Sequence, residues 1–402
     1  MKPVNSIVIG DVGSGKTAVA ISLGVLYLAG KKDSVVSLMA PTELLAEQHY
    51  KNLVAYTGVL QVALRPHTAL ITSKQRIVDG ESVSKKELEK LLSIIRPLFC
   101  VGTHALLTKE LNVSLAMVDE QHRFGVLQRS QNTSSVQPHY ISFSATPIPR
   151  SLALTLYKHL DVELLEKLTT RNPITTTFVP IKNTEIVLQI LSRHLQAKGK
   201  VYMLVPAVES EEESDIYTLA MAKKLVEKVV DEEQCVITHG KHATKTKELE
   251  KFKSDPHIKV CIATSVIEVG VDVPEATCII ILNAERFGLA TLHQLRGRVG
   301  RNTRDDNECV IAAPYMNERL RTFQQLQDGF VLAEKDMELR GSGSLMGAQQ
   351  SGVDEMVERY TQLSSEEQQK VVQASEEVDW NNPSYIRLKR FLEKQYSTTW
   401  KE

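Results

Sequence analysis

Residues 10–17 read GDVGSGKT, and the reading of the whole chain turns on them. The stretch has the spacing G-x-x-x-x-G-K-[ST], with Gly10, Gly15, Lys16 and Thr17 at the fixed places. Glycines let the backbone curl until successive N–H groups face one anion. A helix starting at Lys16 adds its positive end to the same point. Asp11, Gly13 and Ser14 complete the loop as nucleotide-binding candidates. Lys16 is the expected contact to the β- and γ-phosphates, and Thr17 the expected ligand of Mg²⁺. The apolar run SIVIG at 6–10 sets the loop at a strand end, as this chemistry requires.

Such a loop needs an acidic partner on a neighbouring strand. LAMVDEQH at 115–122 supplies one. Asp119 is placed to hold Mg²⁺ through water, and Glu120 to orient and polarise the attacking water. A DE pair after an apolar run is weak alone, because strand ends often carry exposed acids. The phosphate loop upstream makes it strong. Developing charge on a transferring phosphoryl group also calls for an arginine from elsewhere. QLRGRVGR at 294–301 offers Arg298 and Arg301, three residues apart, and this spacing predicts one shared helical face. An Arg/Gly-rich helix end by itself would only make surface ion pairs.

Short β-branched runs alternate with helical patterns through both halves, which implies an α/β fold with parallel sheets. Strands are predicted at 6–10, 34–40, 98–103, 115–120 and 139–145, with helices after Lys16 and from Thr42 towards Tyr56. The second half predicts strands at 201–206, 234–240, 259–265, 277–283 and 308–314. LTTRNPITTT at 168–177 has no helical period and contains a proline, so it reads as the linker. Residues 317–338 read as one helix, followed by a Gly-rich turn at 340–352 and a polar helical end. The acidic run at 209–215 reads as a solvated loop.

Composition excludes several classes. At 402 residues the chain is too long for one core, and 42% apolar with 24% charged residues is ordinary for a globular protein. No apolar run approaches the roughly 18 residues of a membrane span, and the first residues lack signal-peptide features. The five cysteines are scattered with no CxxC pair, which predicts buried reduced thiols and no metal site built on them. A net charge of −1 gives no global footprint for nucleic acid, although a groove can be locally basic.

Four longer strings narrow the reading. They are VDEQHRFGVLQR (118–129), FSATPIPRSLALTLY (143–157), NAERFGLATLHQLRGRVGR (283–301) and DGFVLAEKDMELRGSGSLMGAQQSG (328–352). Together they resemble the RecG family of bacterial branched-DNA translocases, superfamily-two helicases of the DExH class. The transcription–repair coupling factor shares much of this text, but DEQHRFG and AEKDMELRG lean towards RecG. The resemblance covers residues 1–352 well and the remainder loosely.

The resemblance implies two RecA-like P-loop domains in tandem, at 1–168 and 169–316, with ATP between them. A helical hairpin, translocation loop and C-terminal helical region would occupy 317–402. It makes Arg298 and Arg301 the arginine fingers and places Gln294 near the γ-phosphate. Ser144 and Thr146 of the SAT motif would link the ATP site to the cleft, and His122 would bridge the lobes. DNA contacts would come from Pro41 and Thr42 at a helix start, from Thr103 and His104, and from Thr264 and Gly270. THGK at 238–241 also sits at a strand end, as family DNA-contact motifs do. Asp272 would touch the ribose. Arg340, Gln350 and Gly352 fall on the loop that couples ATP hydrolysis to translocation.

The implied activity is an ATP- and Mg²⁺-dependent 3′-to-5′ DNA helicase acting on forks and recombination intermediates in repair. Contacts to phosphate and sugar imply sequence-indifferent, salt-sensitive binding. The implied setting is the bacterial cytoplasm at the nucleoid, as a monomer. RecG proteins also carry an N-terminal oligonucleotide-binding wedge and a segment that seats the adenine. Neither is read in these residues, so a separate wedge-bearing polypeptide is a candidate partner. A DNA-binding remnant without autonomous unwinding is the rival expectation. LITSKQR at 70–76 lacks the glycine usual in one DNA-contact motif.

Overall fold

The computed structural model describes residues 3–106, 111–119, 138–144, 161–166, 174–206, 216–238, 245–264, 273–301, 304–340 and 370. The first half gives β1 (Asn5–Gly10), α1 (Lys16–Gly30), β2 (Val35–Met39), α2 (Glu43–Gly58) and β3 (His67–Ile71). Then come β4 (Arg76–Val78), β5 (Glu81–Ser82), α3 (Lys85–Ile94), β6 (Leu98–Gly102), β7 (Leu115–Asp119), β8 (His139–Ser144) and β9 (Asp161–Leu165). The second half gives β10 (Thr175–Pro180), α4 (Thr184–Gln196), β11 (Lys200–Leu204), α5 (Leu219–Val226), β12 (Cys235–Thr238) and α6 (Lys245–Ser254). It continues with β13 (Val260–Ala263), β14 (Ala276–Leu282), α7 (Leu289–Arg296), β15 (Glu308–Ala313), α8 (Glu318–Gln325) and α9 (Gly329–Arg340).

The strands form two sheets, one per half. The first runs β5-β4-β3-β6-β2-β7-β8-β1-β9 and is parallel except for the β3–β4–β5 edge. The second runs β10-β15-β14-β11-β13-β12 and is parallel throughout. Parallel strands are covered on both faces, so their sequences lose the polar alternation of a half-exposed sheet. β6 (LFCVG) and β14 (ATCIIIL) are buried at every position. The tandem RecA-like architecture expected from the sequence is present.

Helix starts follow local chemistry. The Thr42 hydroxyl accepts from the Leu45 amide at 3.3 Å, and Ser84 accepts from Glu87 at 3.2 Å. Asn317 caps α8 through the Leu320 amide at 2.8 Å. The cysteines are free thiols, and all but half-buried Cys235 are buried. Burial pushes the Cys100 and Cys309 thiols up to about 12 and Cys235 to about 11, which keeps them protonated and inert. No described helix is long and apolar enough to cross a membrane.

Two expectations need correction. Residues 175–177 are strand, not linker: β10 pairs with β15 along its full length. Its threonines suit a pleated edge, and alternate ones serve opposite faces. Thr176 meets Arg296 on one side, and Thr177 donates to Glu308 at 2.5 Å on the other. The single helix at 317–338 is two helices, broken at Leu326–Asp328, where Arg296 draws in the Leu326 carbonyl. The β3–β5 hairpin edge was not foreseen. Thr72 closes its first turn by accepting from the amides of Lys74 and Gln75. The acidic run at 209–215 lies outside the described residues.

Candidate ATP site and the cleft between the lobes

β1 delivers the phosphate loop to the C-terminal edge of the first sheet, the edge where open α/β sheets bind ligands. Gly13 and Gly15 have φ of 75° and 90°, the left-handed region that only glycine adopts without strain. They turn the chain so that α1 starts at Lys16. The Lys16 ammonium donates to the Gly10 and Asp11 carbonyls at 2.8 Å each, which holds it over the loop. Ser14 is buried, and its hydroxyl has no hydrogen-bond partner among the described residues. An orphaned buried hydroxyl in this glycine-rich loop fits a cradle for phosphate oxygens.

The acid arrives from β7. In the strand order β7 and β1 flank β8, so Asp119 and Gly10 end on the same edge about 10 Å apart. Thr17 lies half-buried in the first turn of α1. A hydroxyl and a carboxylate form a hard-oxygen donor set, suited to an ion that takes its remaining ligands from phosphate and water. Among the described residues no cluster of three His, Cys, Asp or Glu side chains could hold a metal unaided. Such donors fit Mg²⁺ arriving with a nucleotide.

His49, on α2, was missed at the sequence level. It is 2% exposed, and its Nε2 lies 2.8 Å from Asp119 Oδ2. A carboxylate only accepts, so Nε2 carries the hydrogen. His49 stands seven residues after Thr42, about two helical turns, and a lone histidine in a helical pattern gives no other signal. Thr42 caps the same helix with Pro41 just before it, and both are half-buried. Thr103 and exposed His104 follow β6, Ser144 ends β8, and Thr264 follows β13.

The second lobe meets the loop through α7. Gln294 is half-buried on this helix. Arg298 and Arg301 do not share a helical face, because α7 ends at Arg296 and Gly300 takes φ of 73°. Arg298 is buried in the turn that follows, and Arg301 Nε donates to the Gly297 carbonyl at 3.2 Å. Other described side chains cross the cleft. His293 Nε2 hydrogen-bonds Asp11 Oδ1, and Val12 packs on Gly297. Arg296 is among the largest fully buried side chains, and burial lowers its pKa. Neither His293 nor Arg296 stood out in the sequence, although both flank Gln294 within one string.

Glu120, His122, Thr146, Gly270, Asp272, Gln350 and Gly352 lie outside the described residues. Arg340 closes α9.

A parallel sheet with a phosphate loop, facing a second parallel sheet across a cleft, is the tandem RecA-like architecture of P-loop proteins. The comparisons agree with the geometry. Residues 1–155 match the DEAD/DEAH box helicase family, and residues 182–303 match the helicase conserved C-terminal domain. The chain belongs to the superfamily-two helicases.

Within that class its similarity is to RecG. It is 40% identical over 362 residues to the ATP-dependent DNA helicase RecG of Synechocystis sp., covering 87% of this chain and 42% of that protein. With the Bacillus subtilis RecG it shares 35% over 402 residues, 96% of this chain and 57% of the relative. A structure of RecG bound to a three-way DNA junction superimposes with a TM-score of 0.70 at 31% identity, over 89% of this chain and 48% of that one. The chain thus spans about half the length of these relatives.

Proposed function

We propose that this chain is the ATP-driven motor of a RecG-type DNA helicase acting on branched DNA. The observation that carries the reading is the convergence on one cleft of the Lys16 loop, Asp119 and α7. In this reading residues 1–168 and 169–316 are the two motor domains, and 317–402 couple them to DNA. The three-way junction in the related RecG structure supports branched DNA as the substrate class.

Bound Mg²⁺ would neutralise charge on the transferring phosphoryl group. Lys16 leaves the Gly10 and Asp11 carbonyls to meet phosphate oxygens, with the loop's N–H groups and Ser14 around them. Thr17 and Asp119 hold the ion, and His49 fixes the Asp119 carboxylate. Glu120 orients the water, and Arg298 and Arg301 supply positive charge from the second lobe, with Gln294 beside them. Gly10, Gly13, Gly15 and Asp272 complete the nucleotide contacts. Pro41, Thr42, Thr103, His104, Ser144, Thr146, Thr264 and Gly270 track the DNA backbone, and Arg340 and Gln350 move it. Translocation would run 3′ to 5′, in repair and recombination.

The test is ATP turnover with and without forked DNA. Forked DNA should stimulate turnover, and Lys16→Ala should lower the stimulated rate by roughly 10²–10³. Turnover indifferent to DNA removes the motor reading and leaves a binding remnant.

A further inference from the structure

Asp11 sits in the phosphate loop, yet its carboxylate faces the other lobe. It is 2% exposed. Its Oδ1 meets His293 Nε2 from α7, and its Oδ2 accepts from the Gly329 amide at the start of α9, at 3.3 Å. The helix start favours a negative charge there. Phe330, the next residue, packs against Ile7 and Ile9 of β1. The loop's strand and its carboxylate therefore both hold the first turn of α9.

Arg296 extends the chain of contacts. Its guanidinium donates to the carbonyls of Phe323 (2.9 Å), in the last turn of α8, and of Leu326 (2.8 Å) and Gln327 (3.4 Å), in the segment that joins α8 to α9. It also lies 4.3 Å from the centre of the Phe323 ring. The same group stands 3.3 Å from His293 Nδ1. A guanidinium only donates, so Nδ1 accepts and the proton sits on Nε2. His293 is thus held as one tautomer, with its N–H aimed at Asp11. Gly329 allows the close approach: a Cβ there would lie 2.7 Å from His293 Nε2 and 2.9 Å from Asp11 Oδ1.

We propose that Asp11, His293 and Arg296 form a joint that ties the phosphate loop to the α8–α9 hairpin, with His293 as its positioning residue. Movement of the loop on nucleotide binding then pulls on α9 directly, in addition to any movement of the lobes as bodies. The role rests on the ATP-site reading above, but the joint itself does not. The Val12 amide of the loop also donates to Oδ1, at 2.6 Å, but a carboxylate buried at this depth keeps its charge at less cost with more donors, and His293 and Gly329 supply theirs from the far side of the cleft.

The experiment is amide hydrogen exchange of peptides covering 327–334, in the full chain, with and without saturating ADP and Mg²⁺. In the parent protein nucleotide should change the exchange rate by about fivefold or more, the low end of ordinary coupling between sites. His293→Ala should raise exchange without nucleotide and abolish the response. His293→Gln, which keeps a donor and an acceptor, should restore it. Gly329→Ala should act like His293→Ala although it removes no polar group. Without nucleotide, Asp11→Ala and His293→Ala should be non-additive. Additive effects, a nucleotide response that survives in His293→Ala, or no response in a parent that binds ADP would each overturn the joint. Failure of the parent to bind ADP would sink the ATP-site reading instead, and the nucleotide-free cycle would still decide whether the joint exists.

Discussion

In each lobe a buried histidine meets a carboxylate of the same lobe, at opposite ends of the two sheets. In the first lobe His49 holds Asp119 at the C-terminal end of β7. In the second, His194 Nε2 lies 3.1 Å from Glu308, at the N-terminal end of β15. The second pair is saturated. His194 Nδ1 meets Thr277 at 2.9 Å, and Glu308 also takes Thr177 and Arg193. The first is open: His49 Nδ1 has no hydrogen-bond partner among the described residues, and Asp119 Oδ1 is uncommitted there. Like chemistry thus serves different ends. A saturated pair at the closed edge fastens α4 to the sheet, whereas an unsaturated pair at the ligand edge keeps coordinating capacity in reserve.

Substitutions can break this contrast. Asp119→Asn should reduce DNA-stimulated ATP turnover by roughly 10²–10³ and leave the melting temperature unchanged, as turnover assays and calorimetry would show. Glu308→Ala should do the reverse. It strands buried His194 and should lower second-lobe stability by about 3 kcal/mol in denaturant titration, while turnover at low temperature stays near the parent's.

The Glu308 contribution also has a pH sign. Burial pushes its carboxyl up, but His194, Thr177 and Arg193 more than offset this, and its pKa falls below the ordinary 4.5. The stabilisation is complete above that value and is lost as pH falls through the depressed pKa. The gap between parent and Glu308→Ala should therefore close in strong acid. A gap that widened there would show the pair to be uncharged.

His49→Ala should raise the half-saturating Mg²⁺ concentration by about 10- to 100-fold, with a smaller loss at saturating Mg²⁺. Thr42→Ala gives the smallest effect. Loss of the cap should cost about 1 kcal/mol. If Thr42 also meets DNA phosphate, the salt dependence of DNA binding should become shallower. A fall in stability with unchanged salt dependence would confine Thr42 to capping.

The strands that carry motifs were legible because buried parallel strands are short apolar runs. SIVIG, LAMVD and the run at 277–282 fall within a residue or so of their observed limits. β10 was not legible, since TTTFVP reads as polar text until Arg296 and Glu308 are seen on its two faces. The break between α8 and α9 escaped for the same reason, because its carbonyls are taken by a side chain about thirty residues upstream, beyond any local helical period. The arginines after Arg296 were read onto a helix that Gly297 and Gly300 end early.

The sequence alone determined the phosphate loop, the position of its acid and the parallel α/β order. These depend on backbone geometry and spacing, which neighbouring residues dictate. Only the tertiary structure decided which polar side chains answer one another. Asp11 reads as a loop residue and proves to grip the second lobe, and His293 and Arg296 read as spacers and prove to bridge the cleft to the hairpin. The physical reason is that a buried polar group must be paired, and at these positions the partners lie as many as 318 residues away along the chain.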